Sequence, residues 1–395
     1  MKLLIAIPAL NEEESIASII ERCLEAKQEI TSKSQVTSVE ITVVSDGSTD
    51  QTVEIAEGYT DRVNLIIFER NRGYGAAIKE AWSNSDAELL GFLDADGTCD
   101  PLFFTNLCST LVDEDADVVL GCRLNPNSKM PLVRRIGNTG FATLLSLFSS
   151  TRVKDTASGM RVVRREHLPN LLPLPNGLHF TPAMSARAML NGKTKIIEIT
   201  MPYEEREGES KLHVLKDGLR FLRVIVDSAM LYRPSRPMGI LAIIFLLISG
   251  LLMLTPTVDY IQTRTVAEWM IYRFIVANLL GTAAVLLLSG GFLAKSIIST
   301  TEYQKVSIDE GLLVRGFRSG WFWFLPLVLF ALGGGLVFSS AMQLIETGMT
   351  FEHWSRFVLM SFLVQVGLIA SVTWIIDYTL NLIRFELSHR RVRSK

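Results

Sequence analysis

The texture of this chain changes abruptly near residue 236. Before that point, apolar runs are short and alternate with polar helices. After it come long apolar stretches at about 237–256, 270–294, 321–344 and 357–383. Each reaches the ~18 residues that read as a membrane span. The chain therefore reads as a domain over 1–235, an all-α membrane domain of four transmembrane helices over 236–385, and a basic tail over 386–395. Lysine and arginine set the expected orientation. The segment 257–269 holds only Arg264 and 345–355 holds none, whereas 295–320 holds Lys295, Lys305, Arg315 and Arg318. The positive-inside rule then predicts a cytoplasmic 1–236, a cytoplasmic middle loop and a cytoplasmic C-terminus.

Other bulk properties mainly exclude. A formal net charge of −2 over 395 residues argues against a polyanionic partner, so no nucleic acid is expected. Cys23, Cys99, Cys108 and Cys122 show no metal-ligand spacing and read as core fillers in a reducing compartment. The opening "MKLLIAIPAL" runs into Pro8 and "NEEE", so Leu3–Ile7 reads as a buried strand and not as a secretory leader.

The first 235 residues alternate strand and helix. Strands are expected at Leu3–Ile7 and in "SVEITVVSDGS", "VNLIIFER", "AELLGFLDAD" and "DADVVLGCR". Helices are expected from "NEEESIASIIERCLEA", with its acids near the N-terminus, from "STDQTVEIAEGY", with Ser48 or Thr49 as N-cap, and from "GAAIKEAWSNS". This predicts an α/β fold with a mostly parallel sheet. Ligands of such sheets bind beyond the carboxyl ends of the strands. Polar clusters follow four successive strands: Pro8, Asn11 and Glu12; Asp46, Gly47 and Ser48; Asn71, Arg72 and Gly73; Asp94 and Asp96. They are predicted to converge on one crevice.

The last cluster, in "LLGFLDADGTCDP", carries the chemistry. Two carboxylates one residue apart, with no His or Cys between them, suit a hard cation, Mg²⁺ or Mn²⁺. Such an ion neutralises a diphosphate, which points to a nucleotide-linked substrate. No P-loop and no dinucleotide fingerprint is present. Two amphipathic segments, about 132–148 and 212–233, alternate leucines with Arg134, Arg135, Lys216, Arg220 and Arg223. They suit helices lying in a membrane interface.

Taken in order, "IPALNEEESI", "VVSDGSTDQT", "NRGYGAAI", "LDADGTCDP", "DTASGMRVVRR" and "REGESKL" resemble family 2 glycosyltransferases of the GT-A fold. The resemblance covers about residues 1–235. It is nearest to polyprenyl-phosphate glycosyltransferases such as dolichyl-phosphate mannose synthases and dolichyl-phosphate glucosyltransferases. It implies that Pro8, Leu10, Glu12, Asp46, Arg72 and Ala95 serve the nucleotide sugar. It implies that Asp94, Asp96 and Thr98 meet the metal, Thr98 standing where many mannose synthases have Gln. Arg206 and Lys211 would lie on a mobile loop over the diphosphate. Arg123, Arg134 and Asn138 would contact the acceptor phosphate. Asp155, Ser158 and Arg161 would be the polar members of a segment beside that site.

The implied activity is inverting transfer of a hexose from a UDP- or GDP-linked sugar to a polyprenyl phosphate, dolichyl or undecaprenyl, at the bilayer, in a possible homo-oligomer. Alternatives are a polysaccharide synthase, although its QxxRW motif is missing, a transferase to a diphosphate lipid, and an inactive nucleotide-sugar-binding scaffold. Gly290–Gly291 and Gly333–Gly335 suggest close helix contacts, and Asp377 reads as interfacial.

Overall fold

The computed structural model describes residues 1–126, 128–204, 214–301, 322–350 and 352–393. The chain divides into two compact units, Met1–Tyr232 and Arg233–Lys395. The first unit is an α/β fold built on one mixed sheet. The second is a set of four long apolar helices.

Among the described residues the first unit holds seven strands: β1 Lys2–Ala9, β2 Ser38–Ser45, β3 Asn64–Ile67, β4 Leu89–Phe92, β5 Val118–Cys122, β6 Arg161–Arg164 and β7 Ile196–Thr200. Their order across the sheet is β3-β2-β1-β4-β6-β5-β7. The helices between them are α1 Ile16–Lys33, α2 Thr52–Glu57, α3 Tyr74–Ser83, α4 Phe104–Asp113, α5 Leu132–Phe148 and α6 Phe180–Leu190, with α7 Val214–Tyr232 closing the unit. β1 is almost wholly buried because it lies centrally, with β2 and β4 parallel on its two sides. Chain order reverses between β1 and β4, and a crevice opens beyond their carboxyl ends.

Sequence patterning misses β6 and β7, and with β6 a reversal of direction. β6 runs antiparallel between β4 and β5, so "RVVR" inserts against the run of an otherwise parallel sheet. Its short apolar core, Val162 and Val163, gives no signal of direction. Two helix starts also differ from expectation. α2 begins at Thr52, whose N–H donates to Asp50 Oδ1 at 3.0 Å, so neither Ser48 nor Thr49 caps it. α1 begins at Ile16, and its acids lie in the preceding turn.

The second unit holds α8 Ser235–Thr263, α9 Ile271–Thr301, α10 Phe324–Thr347 and α11 Trp354–Arg393. All four are long and apolar enough to cross a membrane. α8 continues through Pro256 to Thr263, past the expected end of the stretch. α9 packs on α8 and on α11, and α10 packs on α11. Gly291 allows α9 to approach Met238 of α8, and Gly333 lets α10 meet Leu363 and Val364 of α11. Polar pairs tie α9 to α11. Thr282 donates to Gln365 at 2.7 Å, and Ser296 donates to Asp377 at 2.7 Å. Asp377 is 8% exposed, so it belongs to a helix–helix contact and not to an interface. In a medium without water such pairs satisfy groups that would otherwise be costly to bury.

Candidate active site

A cleft of about 470 Å³ lies within the first unit. Pro8, Leu10 and Glu12 reach it from the end of β1, Asp46 from β2, and Asp94, Ala95 and Asp96 from β4. Asn71 and Gly73 line it from the loop after β3, so four loops that are distant in sequence are brought to one edge. They are also bonded to one another. Thr49 N–H donates to Asn11 Oδ1 at 2.7 Å, and Glu12 N–H donates to Thr52 Oγ1 at 2.8 Å.

Asp46 staples two of these loops. Its carboxylate accepts the Arg72 N–H at 2.6 Å and the Gly73 N–H at 2.9 Å. Burial raises its pKa, partly offset by those two donors. Gly73 sits at φ 104°, and a Cβ there would strike the Asn176 carbonyl, so this turn requires glycine. Arg72 meets Asp46 through its backbone N–H. Its guanidinium lies over the Phe68 ring at 4.2 Å and meets Glu80 at 3.4 Å, and the side chain is not part of the cleft wall. A cation–aromatic contact on the outer surface draws it away from the expected place.

The two acids after β4 are held differently. Asp94 Oδ1 accepts the Tyr74 hydroxyl at 2.6 Å. A Cβ at Gly159 would overlap the Asp94 carboxylate, so the glycine of "DTASGMR" is what lets that segment approach. Asp96 Oδ1 accepts the Thr98 hydroxyl at 2.6 Å. Thr98 is buried and bonds to Asp96 away from the cleft wall. Arg22 of α1 donates to the carbonyls of Gly97 and Cys99 at 3.1 and 3.2 Å, fixing the loop from behind. Among the described residues no group of three or more His, Cys, Asp or Glu is placed to hold a metal. Two carboxylates on one wall still fit Mg²⁺ or Mn²⁺, which commonly takes one or two carboxylates and completes its shell with substrate phosphates.

The rest of the cleft lining comes from α5, α7 and the 155–161 segment. Arg123, Arg134 and Asn138 all line the cleft, and two of them share one buried carboxylate. Arg123 Nε and Nη2 donate to Asp155 at 2.7 and 2.9 Å, and Asn138 Nδ2 donates to the same carboxylate at 2.5 Å. Burial would raise the Asp155 pKa, and the Arg123 guanidinium overrides it, so the net shift is downward. The Arg123 guanidinium also lies 5.5 Å from the Tyr203 ring centroid.

Arg161 is fully buried. It donates to the carbonyls of Ser158 and Thr156 and to the Ser185 hydroxyl at 2.8–3.0 Å. Burial pushes it down to about 10. It binds the segment that carries Gly159 to α6. Arg206 and Lys211 lie outside the described residues.

Sequence reasoning missed Tyr74, Gly159, Tyr203, Phe141 and Phe221. Tyr74 is the most consequential. It opens α3 directly after Gly73, is half-buried at the cleft, and packs edge-on to Phe92 and Phe180 at 6.5 and 6.4 Å. Its only sequence signal is its place inside "NRGYGAA". Burial, then the Asp94 charge, raises its pKa well above the ordinary tyrosine value, so it stays a hydrogen-bond donor to Asp94.

Residues 4–172 match the family described as Glycosyl transferase family 2. Among curated proteins, the Dolichyl-phosphate hexose transferase of Haloferax volcanii is 32% identical over 229 residues, covering 57% of this chain and 92% of that protein. The Low-salt glycan biosynthesis hexosyltransferase Agl6 of the same organism is 31% identical over 250 residues, covering 61% of this chain and only 58% of that protein. Among solved structures, glucosyl-3-phosphoglycerate synthase from Mycobacterium tuberculosis, in complex with Mn²⁺, UDP and phosphoglyceric acid, aligns with a TM-score of 0.45 at 19% identity. That alignment covers 58% of this chain and 78% of that one. With its strand-end carboxylates on one wall of a single cleft and a near full-length match to a 32%-identical relative, the chain belongs to glycosyl transferase family 2.

Proposed function

We propose that the protein transfers a hexose, with inversion, from a nucleotide-diphosphate sugar to the phosphate of a polyprenyl lipid at the cytoplasmic face of a membrane. One observation carries this reading: a single cleft gathers carboxylates from strand ends and arginines from α5 and α7, helices that expose apolar side chains. α5 exposes Leu132, Val133, Ile136 and Leu147, and α7 exposes Leu215, Leu219, Leu222 and Val226. Contiguous apolar surface of this kind marks a partner or a membrane. The names of the relatives, including the Dolichyl-phosphate hexose transferase, support a lipid phosphate as acceptor.

Asp94 and Asp96 would hold Mg²⁺ or Mn²⁺, whose charge would offset that of the nucleoside diphosphate. Pro8, Leu10, Glu12 and Asp46 would border the nucleotide, and Tyr74 would fix the Asp94 carboxylate. A phosphate monoester has a second pKa near ~6. It is therefore already anionic and needs no general base, unlike a hydroxyl acceptor. The bond from the anomeric carbon to the diphosphate oxygen breaks as the bond to the acceptor oxygen forms on the opposite face. The nucleoside diphosphate departs with the electron pair. Arg134 would balance the acceptor charge, and Arg206 and Lys211 are kept as cations for the departing group on the strength of the resemblance.

The test uses purified full-length protein in lipid with Mn²⁺, a polyprenyl phosphate and a panel of radiolabelled UDP- and GDP-sugars. Label from one donor should enter the organic phase and be lost in Asp96→Asn. Nucleotide release or polymer without lipid label would sink the acceptor assignment.

A further inference from the structure

Arg123, Arg134 and Arg220 are the cationic side chains that line the cleft among the described residues. They are not equivalent. The Arg123 side chain is 12% exposed and makes a two-pronged pair with the buried Asp155. A phosphate that drew Arg123 away would leave that carboxylate uncompensated, which is strongly unfavourable. Asn138 spends its amide on the same carboxylate.

Arg220, on α7, differs. Its side chain is 50% exposed, and the buried Asp217 one turn earlier takes Nη1 at 2.9 Å. A bond from an i, i+3 partner orients the guanidinium, and Arg220 remains part of the cleft lining. Phe141 and Phe221 line the same stretch, their rings edge-to-face at 5.8 Å. A guanidinium and two aromatic rings lining one cleft suit one kind of ligand: a phosphate joined directly to an apolar chain. Arginine matches phosphate oxygens in planar, charge-assisted pairs, and the rings offer apolar contact area for the chain.

We propose that Arg220 binds the acceptor's phosphate headgroup together with Arg134, and that Phe221 contacts the first prenyl unit of the lipid. This rests on the lipid-phosphate reading above. It moves the charge that recognises the acceptor from the buried Arg123–Asp155 pair to the α5–α7 wall.

The test is a steady-state titration of polyprenyl phosphate with full-length protein in nanodiscs, using the donor that the wild type accepts. Arg220→Gln should raise KM for the lipid phosphate roughly 10- to 100-fold, the worth of a charged hydrogen bond. KM for the nucleotide sugar should stay within scatter. Arg220→Lys should recover part of the loss, and Phe221→Ala should raise KM for polyprenyl phosphate more than for the short geranyl phosphate. A fall in kcat with lipid KM unchanged would overturn the proposal, as would a Lys variant no better than Gln. A wild type that labels no polyprenyl phosphate with any donor would remove the underlying reading, and the Arg220 assignment with it.

Discussion

The wall of the cleft formed by β1, β2 and β4 presents carboxylates held by backbone N–H groups and hydroxyls, whereas the wall formed by α5, α7 and the 155–161 segment presents arginines beside exposed leucines. The first wall is finished within the sheet. Asp46 is anchored by Arg72 and Gly73, Asp94 by Tyr74 and Asp96 by Thr98. The second wall is finished only in part. Behind it lies a closed polar network of Arg123, Asp155 and Asn138, and in front of it lie apolar side chains such as Leu215, 79% exposed. A water-soluble ligand needs fixed polar groups, and strand ends supply them. A ligand that is half lipid needs a surface left open to a second phase.

Substitutions can break or sharpen this contrast. The largest loss of activity is expected on the carboxylate wall. Asp96→Asn should lower transfer by at least about 10²-fold, the scale for removing a group that stabilises transition-state charge, with thermal stability little changed. The Asp155 network should respond in stability first. Asp155→Ala would strand the buried Arg123 and should cost about 3–5 kcal/mol, read as a lowered midpoint in thermal melts of the solubilised protein. An unshifted melt would show that Arg123 is not held as described.

The same network predicts an acid limb. Because the Asp155 pKa is lowered in the fold, its stabilisation is complete above the unfolded value of about 4 and is lost as pH falls through the lower folded value. Melts of wild type and Asp155→Asn across pH 3–6 should therefore converge toward the acid end, and a constant gap would contradict the shift.

Tyr74→Phe removes one hydrogen bond to Asp94 and keeps the ring packing. It should lower kcat by roughly tenfold and raise the Mn²⁺ concentration needed for half activity. A loss seen only in the melting temperature would make Tyr74 structural. The smallest effect is expected on the open wall. Leu215→Glu with Leu219→Glu should shift stability by no more than about 0.5 kcal/mol, yet lower activity more in nanodiscs than in detergent. Equal losses in both would argue against membrane contact.

Much of the carboxylate wall was legible in the chain. Each of its polar clusters directly follows a strand, so local pattern plus the general geometry of α/β sheets sufficed to gather Pro8, Asp46, Asp94 and Asp96. For Arg72 and Thr98 the backbone position does not fix where a side chain turns. Arg72 found Phe68, and Thr98 found Asp96. The reversed β6 was illegible for a similar reason: four residues of "RVVR" carry no direction of their own. Arg123 and Asn138 were expected to face a phosphate, but their shared bond to Asp155 depends on a segment 17 or more residues further along the chain.

By itself the sequence determined the two textures of the chain, the four apolar lengths, the acids after β4 and the family. These are properties of contiguous residues, where composition and spacing act directly. Only the tertiary structure decided which arginines are spent on buried carboxylates, that Tyr74 holds Asp94, and that Gly159 makes room for it. Those outcomes depend on distances between segments far apart in the chain. The competition among donors for a few buried acceptors is settled only when the sheet has brought them together.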